Sequence, residues 1–240
     1  MKRIYWMVPA ALALCVAPFA VSGAMASARN RSQHSLIEAI DIDAPAASAA
    51  TIGRATADFP NARSDRSETA WGRLVADALR STAKADIAIV NAGTLERGTL
   101  QAGNVSRDDI AALLSFGDDN VATIQISGAQ LRQALERAVG AYSTGSPAWL
   151  HLSGATATFD ANAKSGGRIT SLRVGGREVR DSDSFSVAMP VGLAEGGSGY
   201  YKVWSKAAVN DLGVTLTQAV ANYVHAHHEI SPDNTARISG

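Results

Sequence analysis

Glu68-Thr69-Ala70-Trp71-Gly72-Arg73-Leu74-Val75-Ala76-Asp77-Ala78 is the stretch on which the fold turns. Trp71, Leu74, Val75, Ala78 and Leu79 recur at i, i+3, i+4, i+7 and i+8, which lays one apolar stripe along a helix. Ser67 stands ahead of the stripe and is the expected N-cap, because its hydroxyl would accept a hydrogen bond from an orphan backbone N–H of the first turn. Downstream, Ile87-Ala88-Ile89-Val90 is a short continuous apolar run that stops at Asn91-Ala92-Gly93. Such a run reads as a strand buried on both faces and emptying into a turn.

Working outward, Ser106 with Asp109 and Ser127 with Gln130 each match a capping box ahead of apolar residues. The first precedes Ile110, Leu113 and Leu114, and the second precedes Leu131, Leu135 and Val139, with Gly140 expected to close that helix. Val121 to Ile126 reads as a strand between the two. Past Trp149 the pattern becomes β: Thr156 to Phe159, Arg168 to Val174, a Gly175-Gly176 turn into Arg177-Glu178-Val179, and alternating Phe185, Val187 and Met189. Leu216, Ala219, Val220, Tyr223, Val224 and His227 form the stripe of a last helix. Partial segregation of helices and strands favours α+β over a doubly wound sheet.

The amino terminus carries Lys2 and Arg3, an apolar stretch from Ile4 to Val21, and small residues at Ala24, Ala26 and Ala28. It reads as a signal peptide over 1–28, cleaved after Ala26 or Ala28; Pro9 and Pro18 argue against a membrane span. Leu14 stands where a lipoprotein signal at Cys15 needs a small residue, so no stable membrane anchor is expected. Residues 29–49 read as a flexible leader and 50–240 as the folded domain. Cys15 is the only cysteine and leaves with the signal, so no disulfide is expected. Lys plus Arg and Asp plus Glu both number 22, giving a formal net charge of zero. That balance argues against nucleic acid as a partner, since counterion release needs a basic face. A periplasmic or secreted location is expected.

Several residues fit either a site or ordinary structure. Asn91 with Gly93 makes a common turn, or presents a side chain to a ligand from a rigid strand end. Phe116 with Gly117 closes a helix, or offers a ring for stacking beside backbone that a ligand can approach. Asp118 and Asp119 read as a polar turn. The run Gly192-Leu193-Ala194-Glu195-Gly196-Gly197-Ser198-Gly199-Tyr200-Tyr201 is a loop able to present backbone amides. Ser198 comes near a G-x-S-x-G nucleophile elbow, but Tyr200 replaces the last glycine. His225, His228 and Glu229 lie within one helical turn; a solvated helix end fits them better than a closed metal site.

Taken in order, four segments resemble the carboxy-terminal domain of the 5'-nucleotidase and UDP-sugar hydrolase family: Glu68 to Ala78, Asn91-Ala92-Gly93, Ser115-Phe116-Gly117 and Gly196-Gly197-Ser198-Gly199-Tyr200. Trp149 to Gly154 and Ala236-Arg237-Ile238 extend the likeness from about residue 50 to 239. The resemblance implies a layered α/β sandwich that holds a nucleoside while a separate metallophosphatase domain cleaves the phosphate. It implies a ligand site at Asn91, Gly93, Arg97, Phe116, Gly117, Gly196, Gly197 and Ser198, with Arg97 matching after a one-residue insertion near Glu96. Arg63 and Arg66 lie near another family arginine, out of register.

Two departures stand out. The family's second stacking aromatic falls at Gly192 and its ribose aspartate at Ser198. Losing one face of a base sandwich costs about 1–3 kcal/mol by analogy with other aromatic platforms. The family's metal-binding D-x-H, G-N-H-D/E and G-H-x-H segments do not occur. The expectation is a domain with no catalytic residues, metal or cofactor of its own, which binds a nucleoside, nucleotide or related small molecule for a separate phosphoesterase. A hydrolase completed by a partner's metal centre, and an interaction module that has lost its ligand, are the alternatives.

Overall fold

The computed structural model describes residues 50–204 and 207–240, so the signal-peptide and leader readings lie outside the described residues. In chain order the elements are β1 (Thr51–Ala55), β2 (Phe59–Pro60), α1 (Ala70–Ala83), β3 (Ile87–Asn91), β4 (Thr99–Leu100), β5 (Gly103–Ser106) and α2 (Arg107–Ala111). Next come β6 (Asn120–Ser127), α3 (Gly128–Val139), β7 (Leu150–Ser153), β8 (Ala155–Phe159), β9 (Ile169–Val174), β10 (Arg177–Glu178) and β11 (Ser184–Pro190). The chain then runs through α4 (Val191–Ala194), α5 (Tyr201–Trp204), β12 (Asn210–Thr215), α6 (Leu216–His227), β13 (Glu229–Ile230) and β14 (Ile238–Ser239).

The middle layer is a five-stranded mixed sheet in the order β12-β6-β11-β3-β7. Every residue of β3 is buried, and its side chains alternate between two cores. Ile87 and Ile89 face a core shared with α3 and the sheet β10-β9-β8-β14, whereas Ala88 and Val90 face a core built on α1 and α6. A strand apolar on both faces is the reason its sequence shows no alternation. The result is the layered α/β sandwich.

Most elements follow the expected patterns, with three corrections. The cap of α1 is Thr69: its Oγ1 accepts from Gly72 N at 3.0 Å and donates to Asn61 Oδ1 at 2.6 Å. Ser67 belongs instead to the preceding turn, its N–H and hydroxyl both donating to the Arg63 carbonyl at 3.1 Å. Both capping boxes form, but α2 ends at Ala111, because Leu113 and Leu114 turn away and Leu114 bridges to Leu95. On α6 the apolar stripe stops at Val224; His227 is exposed. Its Nδ1 lies 2.8 Å from the Tyr223 carbonyl and its ring lies over the Tyr223 ring at 4.0 Å, so it closes the helix end outside the core. Gly140 caps α3 in an ordinary right-handed conformation. Gly175 and Gly176 make the β9–β10 turn with φ of 56° and 79°, values that glycine adopts without Cβ strain.

Candidate functional site

Sheet topology decides where the candidate residues meet. β3 and β11 are parallel neighbours, so Asn91 and Pro190 end at the same edge of the sheet. β6 and β7 run antiparallel to them, which brings the segments leading into Asn120 and Leu150 to that edge. Four segments therefore converge: 91–94, 116–119, 146–149 and 191–199. Crevices at the carboxy ends of parallel strands are favoured ligand sites in α/β sheets.

Between these segments lies a cavity of about 600 Å³, lined in part by Asn91, Gly93, Phe116, Gly197 and Ser198. Phe116, 62% exposed, holds its ring at the mouth as the most exposed large apolar side chain among the described residues. Pro190, Val191 and Leu193 add further apolar wall, while Asp119 and Glu195 are the charged lining residues.

Asn91 is buried, and its amide is largely occupied. Nδ2 donates to Ser198 Oγ at 3.0 Å and to the Pro147 carbonyl at 3.3 Å, and Oδ1 accepts from Thr94 Oγ1 at 2.9 Å. Both amide hydrogens are spent on the protein, which leaves Oδ1 as the atom with spare capacity. Asn91 thus ties three of the four segments together. Gly93 lies against Pro147, to whose carbonyl its N–H donates at 3.0 Å.

Three expected residues stand outside the lining. Arg97 points away to Asp65, at 3.5 Å, with its side chain 74% exposed. Gly117 serves the fold: Thr217 donates to its carbonyl from both N and Oγ1 at 3.0 Å, and a Cβ would come within 2.5 Å of that hydroxyl. Gly196 lies under Tyr201, whose backbone a Cβ would meet at 2.5 Å. The 3₁₀ turn at Gly197–Gly199 follows α4, so Ser198 is not on a strand-to-helix elbow.

Sequence reasoning missed Asp119 as a site residue. Its carboxylate accepts from Gly192 N at 3.0 Å and from its neighbour Asn120 N at 2.9 Å. It is the polar turn expected, and it also fixes the rim of the cavity. Sequence reasoning also missed Arg63, Arg66 and Tyr142 as one group, which lines a hollow of about 320 Å³. That hollow adjoins the loop ahead of Trp149, since Gly145 sits against Asp65 and Arg66. No local pattern marks these residues, because chain reversals bring them together.

Among the described residues, no group of three or more His, Cys, Asp or Glu side chains is arranged to hold a metal. The His225 and His228 rings stand 6.1 Å apart, edge to face. Nor is any helix among them long and apolar enough to cross a membrane.

The order of elements and their layering are those of a carboxy-terminal domain of the nucleotidase type. Residues 49–206 match the family model "5'-nucleotidase, C-terminal domain", and the chain belongs to that family. Among its relatives, the 5'-nucleotidase of Vibrio parahaemolyticus is 25% identical over 169 residues, 70% of this chain and 29% of that protein. The snake venom 5'-nucleotidase of Naja atra is 28% identical over 161 residues, 62% of this chain and 30% of that protein. The chain therefore spans under a third of the length of these curated relatives. The 5'-nucleotidase precursor of Thermus thermophilus superimposes with a TM-score of 0.73 at 22% identity, covering 79% of this chain and 39% of that one. Haemophilus influenzae NAD nucleotidase gives 0.70 at 20% identity, covering 80% and 38%. At those identities the structural likeness is one of fold.

Proposed function

We propose that this chain is an exported nucleotidase-type domain that binds a nucleoside or nucleotide, with any phosphate cleavage left to a separate metallophosphatase. The observation that carries this reading is the exposed Phe116 ring at the mouth of a cavity walled by Pro190, Val191 and Leu193. A flat heterocycle would stack on that ring and exclude water from its face. Asn91 Oδ1, the Ser198 hydroxyl and the glycine backbone would supply polar contacts at the ring edge and sugar.

The charges distinguish two hollows. Among the described residues, the charged lining of the cavity is Asp119 and Glu195 with no lysine, arginine or histidine, which makes a phosphate unfavourable beside them. Behind the loop that carries Pro147, the Asp65 carboxylate meets Arg66 and Arg97, each at 3.5 Å, and Arg63 lines the same hollow as Arg66. The Asp65 carbonyl also accepts from Ser146 N at 2.7 Å, which fastens this group to the loop. Three arginines against one carboxylate leave this separate group net positive, so of the two hollows it is the one that would favour an anion.

A thermal-shift and calorimetry panel of adenosine, AMP and UDP-glucose tests the reading. Ligand at 100 times its dissociation constant should stabilise the fold by about 2.7 kcal/mol. Phe116→Ala, at an exposed position, should leave the unliganded melting temperature unchanged and weaken binding by about 1–3 kcal/mol. No shift for any member at millimolar concentration would leave the interaction-module reading, which the glycine at 192 and serine at 198 favour. Phosphate release by the purified chain with Mg²⁺, Mn²⁺ or Zn²⁺ that survives Phe116→Ala would overturn the pocket as the substrate site.

A further inference from the structure

We infer that Arg137, which lies outside the cavity lining, is the positioning residue that sets the shape of its glycine-rich rim; the inference rests on the proposed reading of that cavity. Arg137 sits in the last turn of α3. Its Nε and Nη2 both donate to the Ser198 carbonyl, at 3.1 and 2.5 Å. The guanidinium carbon also lies 5.2 Å from the centre of the Tyr200 ring, and that ring stacks on Trp204 at 4.8 Å and 5°. Tyr200 is anchored in turn, its hydroxyl donating to the Ala148 carbonyl at 2.6 Å. The cation is thus held over a fixed aromatic platform and aimed at one backbone oxygen.

That oxygen belongs to a residue in an unfavourable conformation. Ser198 has φ 52° and ψ 20°, the left-handed region that a residue with a Cβ adopts only when its surroundings hold it there. In this conformation its Oγ accepts from Asn91 Nδ2 at 3.0 Å. Two charge-assisted bonds from Arg137 grip one side of Ser198, and Asn91 grips the other. Gly199 completes the device: its φ is 80°, and a Cβ there would overlap the Arg137 guanidinium. The glycine at 199 is what lets Arg137 reach the carbonyl of 198.

The test uses the full chain with adenosine as probe. Arg137→Met keeps the stem and removes the donors, and should raise the adenosine dissociation constant roughly tenfold. Arg137→Lys, with one compact donor, should recover part of that loss. Gly199→Ala displaces Arg137 without altering it and should weaken adenosine to a similar degree. A merely structural arginine would lower the melting temperature and leave affinity alone. Wild-type affinity in Arg137→Met would overturn the inference. If the wild-type chain binds no adenosine, the proposed function fails by itself, and amide hydrogen exchange at residues 198–200 decides this point separately. Faster exchange there in Arg137→Met, with α3 unchanged, supports the positioning role, and equal exchange overturns it.

Discussion

At the scale of single residues, His151 shows how a buried polar group constrains the molecule. It is fully buried, with Nε2 3.2 Å from the Ser64 carbonyl and Nδ1 without a hydrogen-bond partner. Burial pushes its pKa down to about 3, so the ring stays neutral in the fold. An unfolded histidine takes up its proton near pH 6.5. Between those values the unfolded state holds a proton that the folded state lacks. The stability contributed is therefore fully present above about pH 6.5 and is lost as pH falls toward 3, at up to about 1.4 kcal/mol per pH unit. Urea unfolding between about pH 5 and 7 should show this slope. His151→Gln should flatten it, and an unchanged slope in that variant would assign the proton uptake to another group. Nothing in the local sequence separates His151 from an exposed histidine, because its burial comes from a helix far away in the chain.

At the scale of elements, the seat of His151 is made by α1. Gly72 packs directly on the imidazole, and a Cβ at 72 would fall inside the ring's van der Waals surface. Gly72→Ala should destabilise by about 1–3 kcal/mol through overpacking. His151→Ala removes the obstacle, so the double variant should be less destabilised than the two single effects added. Strict additivity in chemical denaturation would show that the α1–β7 contact is not what Gly72 protects. The glycine inside the helix costs propensity, and only tertiary packing explains it. This marks the limit of what the sequence discloses. α1, β3, α3 and β6 are legible because periodicity and caps are local signals. The cap of α1 is not, since local pattern points to Ser67 whereas Thr69 is selected by its bond to Asn61, a tertiary contact. The site divides in the same way: the Asn91, Phe116 and Ser198 loops are legible as motifs, whereas Asp119 at the rim and Arg137 behind it carry no motif. Arg97, matched by resemblance, is drawn instead to Asp65.

At the scale of the whole molecule, two cores share the central sheet, and the carboxy-terminal segment ties their outer layers together. β14 pairs with β8 in the sheet on one side. Arg237, just before it, reaches Asp77 of α1 on the other, with Nη1 and Nη2 at 2.7 and 2.8 Å, and Asp233 at 2.9 Å. Burial opposes the charge of Arg237, but these two carboxylates outweigh it and raise its pKa. Glu68 closes the junction: its carboxylate accepts from the backbone N–H groups of Arg237 and Ile238 at 2.5 and 2.9 Å and of Leu152 at 3.3 Å. Burial raises the pKa of Glu68 while those N–H groups pull it back. Glu68→Ala would leave these donors unpaired beside a buried Arg73, at a cost of about 3 kcal/mol or more. Trp71 reports the core under α1, and Trp149 and Trp204 report the other. Single-tryptophan versions of the wild type should unfold in urea with coincident midpoints, as expected of one cooperative unit. In Glu68→Ala both midpoints should fall, and the Trp71 transition should separate from that of Trp149. Coincident midpoints in the variant would mean that the central sheet alone couples the two cores and that the carboxy-terminal junction only adds stability.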